Sequence, residues 1–492
     1  MGIDRLLFSY LYFQFPNELE WDTSPWYNFL HKIKQIKYSE DKGIVIAGSS
    51  VALFSALPTE IQDTLNTPDN KNFRVDFFSH VAMTPTDLYY YSNWLTKTGA
   101  KVVVYLFNPA DLQFDHFLKE TPELCPLELY IQNGEPQFSE EDRLRAYVNR
   151  VPTRVYYPFA FLLDNWKSLD RKDVFQLTTK SFLHINAYRT FLADPFDAYF
   201  ERHLRSQRRY HNYTGVIPKE GIWRKGWTPE SFSLICEKKE EQLDEMLFFQ
   251  KPDMKIKIFN KEKILFDKVF HKAGWHRISF RLPSDRVLHF TVTPNISSKL
   301  VDPKEYGKEY FYGIRLSQNF CKTKLERNIS YLRTEAIDEH RFEVMSKEEY
   351  GEDYHSRLYK DNCKRAETLR MNRIYVVKKA LKDSQFKPFS EVRMIQKVAL
   401  KLKQKGIRFI MINNPESPLE LKHYREGRWY QGYLSFFHKL EQDGLIQFED
   451  LSQFLTDERD FIDPHHLTLP AAHKMTIKYT NIIKNNYTKL LK

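Results

Sequence analysis

A serine near the start of the chain and an aspartate–histidine pair near its end are the residues whose types and spacing could do chemistry together. Ser50 is the last residue of a Gly-Ser-Ser run, and Asp463 and His466 lie three residues apart. A serine hydroxyl becomes a nucleophile when an imidazole takes its proton and a carboxylate orients that imidazole. The order Ser, Asp, His along a chain is one that serine hydrolases use. The pattern predicts Ser50 as nucleophile, His466 as general base and Asp463 as the residue that orients it.

The elements around Ser50 would hold it at the end of a strand. Residues 44–47 form an apolar run between small residues, which is typical of a buried strand, and apolar residues then recur at helical spacing over 53–57. Ser50 would lie in the turn between the two elements, at the carboxyl end of a strand, where open α/β sheets place their sites. An ordinary turn of small residues is the plainer interpretation of the same stretch.

The aspartate–histidine pair also has a plainer interpretation. If the chain coils here, Asp463 and His466 are about one turn apart and can face the same way, whereas His465 points elsewhere. Pro464 fixes one backbone angle between the partners. The alternative is that Asp463 caps the last helix and both histidines lie on the surface.

Together the two stretches resemble the SGNH hydrolase superfamily. Residues 48–50 resemble its first block, and 463–467, Asp-Pro-His-His-Leu, resemble its last block. The usual aspartate before the nucleophile is Ser49 here, and this version is similar to the envelope acyl-transfer branch, which includes the D-alanylation protein of teichoic acids. Over most of its length the chain also resembles an uncharacterised spirochaetal SGNH-like family, a domain of unknown function. The resemblance implies acyl-ester chemistry that needs no metal or organic cofactor.

The resemblance also implies an oxyanion hole. The apolar run 101–107 predicts a buried strand that ends at Asn108, and in the superfamily an asparagine at this place helps to bind the oxyanion. The glycine usual two residues earlier is Leu106 here. The second-block glycine, whose N–H also serves the oxyanion, has its nearest match in Ala82, and a backbone N–H survives that change. The expected donors are therefore Asn108 and the N–H groups of Ser50 and Ala82.

The length of 492 residues predicts several domains. Strand and helix patterns alternate at both ends of the chain, which indicates an α/β fold: an SGNH-like three-layer α/β/α core with a parallel sheet, split in sequence. The expected segments are a lead-in or anchor remnant, the first half of the core, a helical insertion, a small antiparallel β-sandwich-like insertion, a helical connector and the second half of the core. They span 1–37, 38–118, 119–249, 250–320, 321–384 and 385–492.

The β insertion is predicted from strict alternation. Between residues 250 and 317 apolar and polar side chains alternate in several runs separated by turn residues, which indicates antiparallel strands. Sandwiches of this kind often bind carbohydrate, and a purely structural insert is an equally open interpretation.

Charge permits an anionic partner. The formal net charge is +10, and the run Glu201–Tyr210 is densely basic. That run would be a solvated helix face or a groove for an anionic polysaccharide. We find no nucleic-acid motif and expect no nucleic-acid partner.

Cysteine usage and hydropathy bear on the cellular compartment of the protein and on its association with a membrane. Cys125, Cys236, Cys321 and Cys363 are scattered without CxxC spacing, which predicts neither a metal site nor a disulfide framework. No apolar stretch of about 18 residues occurs. The aromatic N-terminal segment is either packed on the body or the tail of a membrane anchor, which would give a membrane association. We expect the cell envelope or periplasm, with the cytoplasm still open.

The expected function is serine-dependent acyl-ester chemistry, as an O-acyltransferase or esterase, on a cell-envelope glycan or a related acylated molecule. The alternative is a catalytically inactive envelope scaffold or glycan-binding protein on the same fold. It is motivated by the departures at Ser49, Ala82 and Leu106. The distance between Ser50 Oγ and His466 Nε2 discriminates between the two.

Overall fold

The structure, a computed structural model, describes residues 2–9, 29–30, 33, 42–66, 73–113, 140–188, 228, 230–236, 240–261, 263–297, 311–316, 320–321, 342, 345–359, 382 and 385–490. The chain divides into two compact units. The first contains Met1–Phe8, Gln35–Arg189 and Met345–Lys492, and the second contains Ser9–Lys34 and Thr190–Val344. The basic run Glu201–Tyr210 and most of the predicted N-terminal lead-in lie outside the described residues.

The first unit carries one parallel sheet and the helices. Numbered along the whole chain, its strands β1, β2, β3, β13 and β14 span Lys42–Gly48, Phe73–Ser79, Ala100–Phe107, Arg408–Asn413 and Gln447–Asp450. Helices α1 to α5 span Gly2–Ser9, Ser50–Ser55, Pro58–Leu65, Pro85–Lys97 and Pro109–Gln113. Helices α6 to α10 span Glu140–Asn149, Val151–Val155, Pro158–Asn165, Arg171–Phe182 and His184–Tyr188. Helices α11 to α15 span Lys347–Tyr359, Ser390–Gln404, Pro418–Leu421, Arg428–Gln442 and Leu469–Leu490, and a 3-10 helix spans Glu458–Asp460.

The strand order reverses direction at β1. The sheet runs β2-β1-β3-β13-β14 with all neighbouring strands parallel. The chain therefore winds to one side of β1 through β2 and to the other side through β3. In open α/β sheets, ligands bind outside the carboxyl ends of the strands at such a reversal. Ser50 follows the carboxyl end of β1 directly.

Burial confirms the predicted three-layer α/β arrangement. Residues 102–107 of β3 are all fully buried. Successive strand side chains point to opposite faces, so both faces of the sheet must be covered. Helices α4 and α12 pack on each other, and α15 packs on α2 and α3; members of both groups contact the sheet.

The described strands of the second unit are antiparallel, as predicted. Strands β4 to β12 span Ser231–Ile235, Gln242–Phe249, Met254–Asn260, Lys263–Phe270, Gly274–Arg281, Val287–Thr293, Ile296–Ser297, Phe311–Tyr312 and Arg315–Leu316. A four-stranded sheet, β4-β9-β6-β7, and a three-stranded sheet, β12-β5-β8, contribute side chains to one apolar core. Among the described residues, none of these strands pairs with the parallel sheet.

One predicted boundary is wrong. The expected helical insertion extended to residue 249, but β4 and β5 already belong to the antiparallel unit. The alternation in β5 is hidden because a charged residue, Glu245, occupies an inward position and is buried with its apolar neighbours Leu243 and Leu247. A period-two pattern cannot be seen where the inward position is charged.

The prediction of no disulfide framework is also wrong for two of the four cysteines. Cys236 and Cys321 form a disulfide in the second unit across 85 residues of sequence. Cys236 directly follows β4, and the fold rather than any local spacing brings its partner close. A bond of this kind leaves no short motif in the sequence.

Within the described ranges, the chain contains no helix with the length and apolar character needed to cross a membrane.

Candidate active site

The turn that carries the nucleophile candidate is shaped by Gly48 and Ser49. A Cβ on Gly48 would lie 2.3 Å from the Leu106 carbonyl oxygen and 2.7 Å from Ala52 Cβ, so only glycine fits between β1 and β3 here. Ser49 is the N-cap of α2, and its Oγ accepts a hydrogen bond from Val51 N–H at 3.0 Å. Ser50 is therefore the first residue of the helix and is held just beyond the carboxyl end of β1.

The aspartate and histidine come from a short loop closed like a hairpin. Phe461 and Leu467 form an antiparallel bridge, and Ile462 N–H donates to the His466 carbonyl at 2.7 Å. Inside the loop, Asp463 Oδ1 accepts from the backbone N–H groups of His465 and His466 at 3.1 and 3.0 Å. These backbone hydrogen bonds fix the orientation of the carboxylate independently of its contact with the imidazole.

The structure brings the three predicted catalytic residues together. His466 Nδ1 lies 2.7 Å from Asp463 Oδ2, and His466 Nε2 lies 2.8 Å from Ser50 Oγ. An ionised carboxylate only accepts, so Nδ1 carries the proton and Nε2 can accept the serine proton. Asp463 and His466 are buried. The plainer interpretation, in which both histidines are surface residues, is wrong for His466.

Contacts from elsewhere in the first unit hold this loop. The Ser417 N–H, after β13, donates to the Pro464 carbonyl at 2.8 Å. The Tyr350 hydroxyl, from α11, donates to the Phe461 carbonyl. The Phe54 ring of α2 lies 4.6 Å, centroid to centroid, from the His466 ring. The imidazole is therefore restrained from both the nucleophile helix and the loop side.

Asn108 lies at the carboxyl end of β3 and begins α5 with a reciprocal cap. Its Oδ1 accepts from Ala110 N–H at 2.9 Å and Asp111 N–H at 3.3 Å, while Asp111 Oδ2 accepts from Asn108 N–H at 3.1 Å. The cap uses the carbonyl oxygen of the amide and leaves Nδ2 buried without a partner among the described residues. A buried donor held in this way is available to a developing negative charge.

Asp111 is a second carboxyl group at the site, and the sequence pattern predicts no role for it. It is buried, it accepts a hydrogen bond from Asn108 N–H at 3.1 Å, and it lies near the Ser49 hydroxyl. Burial raises the pKa of Asp111 to about 7, although the Ser49 hydroxyl, the Asn108 N–H and a charge on His466 lower it. The capping pattern Asn-x-x-Asp at 108–111 was the visible signal, but nothing in it indicated contact with Ser49.

Ala82 adopts the backbone conformation that glycine prefers. It lies in the turn after β2, with φ at 54°, in the left-handed region that L-residues rarely occupy. The turn is tied to the end of β1, because His80 N–H donates to the Gly48 carbonyl at 3.3 Å. The oxyanion role of Ala82 and Asn108 remains a prediction.

An ion pair between the half-buried Arg150 and the buried Asp87 holds the Ala82 turn. Arg150, the N-cap of α7, donates through Nη2 to the Ala82 carbonyl and to Asp87 Oδ2, the latter at 2.7 Å. Asp87 in turn forms the capping box of α4 with Thr84. The helical segment after β3 therefore contributes directly to the shape of this turn.

His80 is a poor candidate for a second base. Burial lowers its pKa to about 4, although the nearby Asp87 charge raises it in part. Its Nδ1 lies 2.8 Å from the Val81 carbonyl and its Nε2 lies 3.1 Å from the Tyr91 hydroxyl. The ring is therefore neutral at neutral pH and both nitrogens are engaged.

Asp463, His465 and His466 also have the composition of a metal site. One ligand atom from each lies within 4.8 Å of the others. A metal bound by Asp463 and His466 would compete for the atoms that form the hydrogen bond between them. Metal ligation and the Ser-His-Asp arrangement therefore exclude each other at this loop.

Comparison with known proteins gives a family without a known activity. A protein-family model matches residues 17–488. A protein of Leptospira interrogans serogroup Icterohaemorrhagiae serovar Lai (strain 56601), described as uncharacterized, is 26% identical over 502 residues, covering 97% of this chain and 91% of that protein. Because the family model covers most of the sequence, the chain belongs to this family, whose function is unknown.

Proposed function

We propose that this protein performs serine-dependent acyl-ester chemistry of the SGNH type. The observation that carries the proposal is the continuous hydrogen-bonded series from Ser50 Oγ through the His466 ring to Asp463, with links of 2.8 and 2.7 Å. A nucleophile within reach of a base that is itself oriented by a third group is the signature of covalent acyl transfer. The two ends of the chain, more than 400 residues apart, meet to form it.

The chemistry would proceed in two balanced steps. Ser50 Oγ attacks the acyl carbonyl carbon while His466 Nε2 takes the hydroxyl proton, and the carbonyl oxygen becomes an oxyanion. The bond to the leaving alcohol then breaks, and His466 returns the proton to that alcohol. In the second step water or a sugar hydroxyl gives a proton to His466 and attacks the acyl carbon of the acyl-serine. The bond from that carbon to Ser50 Oγ then breaks, and His466 returns the proton to Ser50 Oγ, which releases the acylated product and restores the free serine.

Asn108 and the N–H groups of Ser50 and Ala82 would stabilise the oxyanion. The unpartnered, buried Nδ2 of Asn108 supports this role, since a preorganised donor needs no rearrangement when charge develops. The left-handed φ of Ala82 supports its match to a glycine position. Neither metal nor organic cofactor enters these steps.

The substrate proposed is an acylated glycan or a related acylated molecule of the cell envelope. The disulfide between Cys236 and Cys321 supports an oxidising compartment such as the periplasm. The net charge of +10 supports an anionic polysaccharide as substrate or partner. The second unit, with two antiparallel sheets on one core, suits a carbohydrate-binding role.

The test is turnover of a small aryl ester by the full chain and by Ser50→Ala. Loss of one triad member is expected to reduce kcat about 10⁴-fold or more. Ser435→Ala, an exposed serine on α14, is the matched control and should retain activity. Turnover by Ser50→Ala within a few-fold of the parent would exclude Ser50 as nucleophile. No turnover by any folded form would favour the alternative, an inactive scaffold or glycan-binding protein.

A further inference from the structure

Ala82 is the third residue of a tight turn between β2 and α4. The turn runs from His80 to Met83 and is closed by a hydrogen bond from Met83 N–H to the His80 carbonyl at 3.3 Å. Of the two central residues, Val81 and Ala82, only Ala82 has a positive φ. This is the pattern of a type II turn, whose third residue is usually glycine. Alanine in this position is strained, so other contacts must keep it there.

The type of the turn decides where the Ala82 N–H points. Type I and type II turns differ by a rotation of roughly 180° of the peptide between their second and third residues. In this turn, that peptide contains the Val81 carbonyl and the Ala82 N–H. The two groups of a trans peptide point in opposite directions, so a contact that holds the carbonyl also fixes the direction of the N–H.

The Val81 carbonyl is held by the side chain of His80. His80 Nδ1 lies 2.8 Å from the Val81 oxygen, and His80 Nε2 lies 3.1 Å from the Tyr91 hydroxyl. A carbonyl oxygen only accepts, so Nδ1 carries the proton and Nε2 accepts from Tyr91. Burial lowers the pKa of His80 to about 4, so the ring stays neutral and keeps this arrangement at neutral pH.

The ring of His80 is itself held in place. His80 is fully buried, and its ring meets the Tyr91 ring edge to face at a centroid distance of 5.6 Å. Tyr91 is also fully buried, on α4. Closely packed interior side chains have little room to change rotamer. The donor to the Val81 carbonyl is therefore fixed in position.

The peptide groups on both sides of this one are restrained as well. His80 N–H donates to the Gly48 carbonyl at 3.3 Å, which ties the turn to the end of β1. The Ala82 carbonyl accepts from Arg150 Nη2. The N–H of the half-buried Ala82 donates to no group among the described residues. A donor that is oriented by its surroundings and not used within the described chain suits a ligand oxygen.

We propose that His80 is a positioning residue for acyl transfer, because its Nδ1–H holds the Val81–Ala82 peptide so that the Ala82 N–H faces the developing oxyanion. The proposal rests on the proposed function and deepens it, since it states what keeps one of the oxyanion donors in place. In this role His80 neither touches the substrate nor transfers a proton. Without its hydrogen bond, the strained turn is expected to relax to type I, which turns the N–H away.

The experiment is steady-state turnover of a small aryl ester by the full chain, by His80→Asn and by His80→Gln. The asparagine nitrogen is as many bonds from Cβ as Nδ1 is and can keep the bond to Val81, whereas the glutamine nitrogen corresponds to Nε2. His80→Gln should lower kcat at least about tenfold with little change in KM, because a misdirected donor weakens binding of the transition state alone. His80→Asn should keep a kcat close to that of the parent.

A control variant accounts for lost stability. Thr98→Val removes two hydrogen bonds of a buried side chain at the other end of α4. Its kcat should equal that of the parent even where its Tm is lower. Thermal unfolding checks that every variant is folded at the assay temperature.

A double variant separates positioning from a purely structural role. In Ala82→Gly the positive φ carries no strain, so the turn should keep its type with a weaker hold on the Val81 carbonyl. The loss in kcat caused by His80→Gln should therefore be at least about threefold smaller in the Ala82→Gly background than in the parent background. A structural role elsewhere would give the same loss in both backgrounds.

Failure of this proposal can be told from failure of the proposed function. If the parent turns over the ester and Ser50→Ala does not, the proposed function stands. In that case a parent-like kcat in His80→Gln, equal losses in His80→Asn and His80→Gln, or equal losses in both backgrounds overturns the positioning role alone. A folded parent without turnover overturns the proposed function and the positioning role with it.

Discussion

The Asp111 carboxyl lies near enough to the hydroxyl of Ser49, the residue directly before Ser50, for that hydroxyl to lower its pKa. Ser49 also caps α2, so Asp111 supports the helix start that presents the nucleophile. The same carboxylate accepts from Asn108 N–H at 3.1 Å. One buried acid therefore links the nucleophile turn after β1 to the proposed oxyanion donor after β3.

Asp111→Asn should remove a pH dependence of stability. The folded-state pKa of about 7 lies above the ordinary value of 3.8, so the folded protein binds this proton more tightly than the unfolded chain. The stabilisation by this bound proton is fully present below pH 3.8, the ordinary pKa of the carboxyl, and is lost as the pH rises through the folded-state pKa of about 7. Relative to Asp111→Asn, the parent should lose up to about 1.4 kcal/mol per pH unit in that window.

Urea unfolding of the parent and of Asp111→Asn across this window measures the difference. The exposed Asp443→Asn serves as control and should follow the parent at every pH. Curves of stability against pH that run parallel for the parent and Asp111→Asn would show that the carboxyl titrates normally.

His466→Ala and His465→Ala should behave differently although the residues are adjacent. His466 Nε2 is the atom that contacts Ser50 Oγ, so its loss should reduce ester turnover about 10⁴-fold or more. The His465 ring makes no such contact in the described structure, and its backbone N–H remains bound to Asp463 in the variant. His465→Ala should therefore stay within a few-fold of the parent. The reverse pattern in steady-state kinetics would refute the assignment of the base.

Ala82→Gly should stabilise the fold. Alanine at φ 54° carries a steric strain that glycine does not, and relief of that strain outweighs the extra freedom of the unfolded chain. The expected gain is about 0.5 kcal/mol in the free energy of unfolding. Ala160→Gly, in the exposed part of α8, is the matched control and should lose up to about 1 kcal/mol. Equal losses at both positions would contradict the strain at Ala82.

The double variant Cys236→Ser/Cys321→Ser should unfold at a lower temperature than the parent. A bond that closes a loop of this size stabilises by roughly 2–4 kcal/mol, mainly by restricting the unfolded chain. A reducing agent should lower the parent's Tm and leave the variant's Tm unchanged. If reduction shifts both proteins equally, the shift does not come from this disulfide.

Strands and helices of the core could be predicted from sequence because their signals are local. The apolar runs at 44–47 and 101–107 became β1 and β3. The pairing of Ser50 with Asp463 and His466 was predictable for another reason. Ser50 lies in one short motif, and Asp463 and His466 lie in another. A serine nucleophile requires both a base and a carboxylate that orients the base.

Contacts set by the fold rather than by spacing could not be predicted. Asp111 reaches Ser49 only because β1 and β3 are neighbours in the sheet, and a turn residue gives no sign of that. Arg150 reaches the Ala82 carbonyl from 68 residues away. The disulfide partners are farther apart still. In each case the two residues give no sign of their contact in the sequence, and only the fold brings them together.

The most direct measurement of the central claim is labelling of the full chain with a fluorophosphonate, followed by peptide mass mapping. The reagent bonds covalently to a serine whose hydroxyl is activated by a base. The account predicts one labelled peptide that contains Ser50, and loss of the label in Ser50→Ala and in His466→Ala but not in Ser435→Ala. Labelling at another serine, or undiminished labelling of Ser50→Ala, would contradict it.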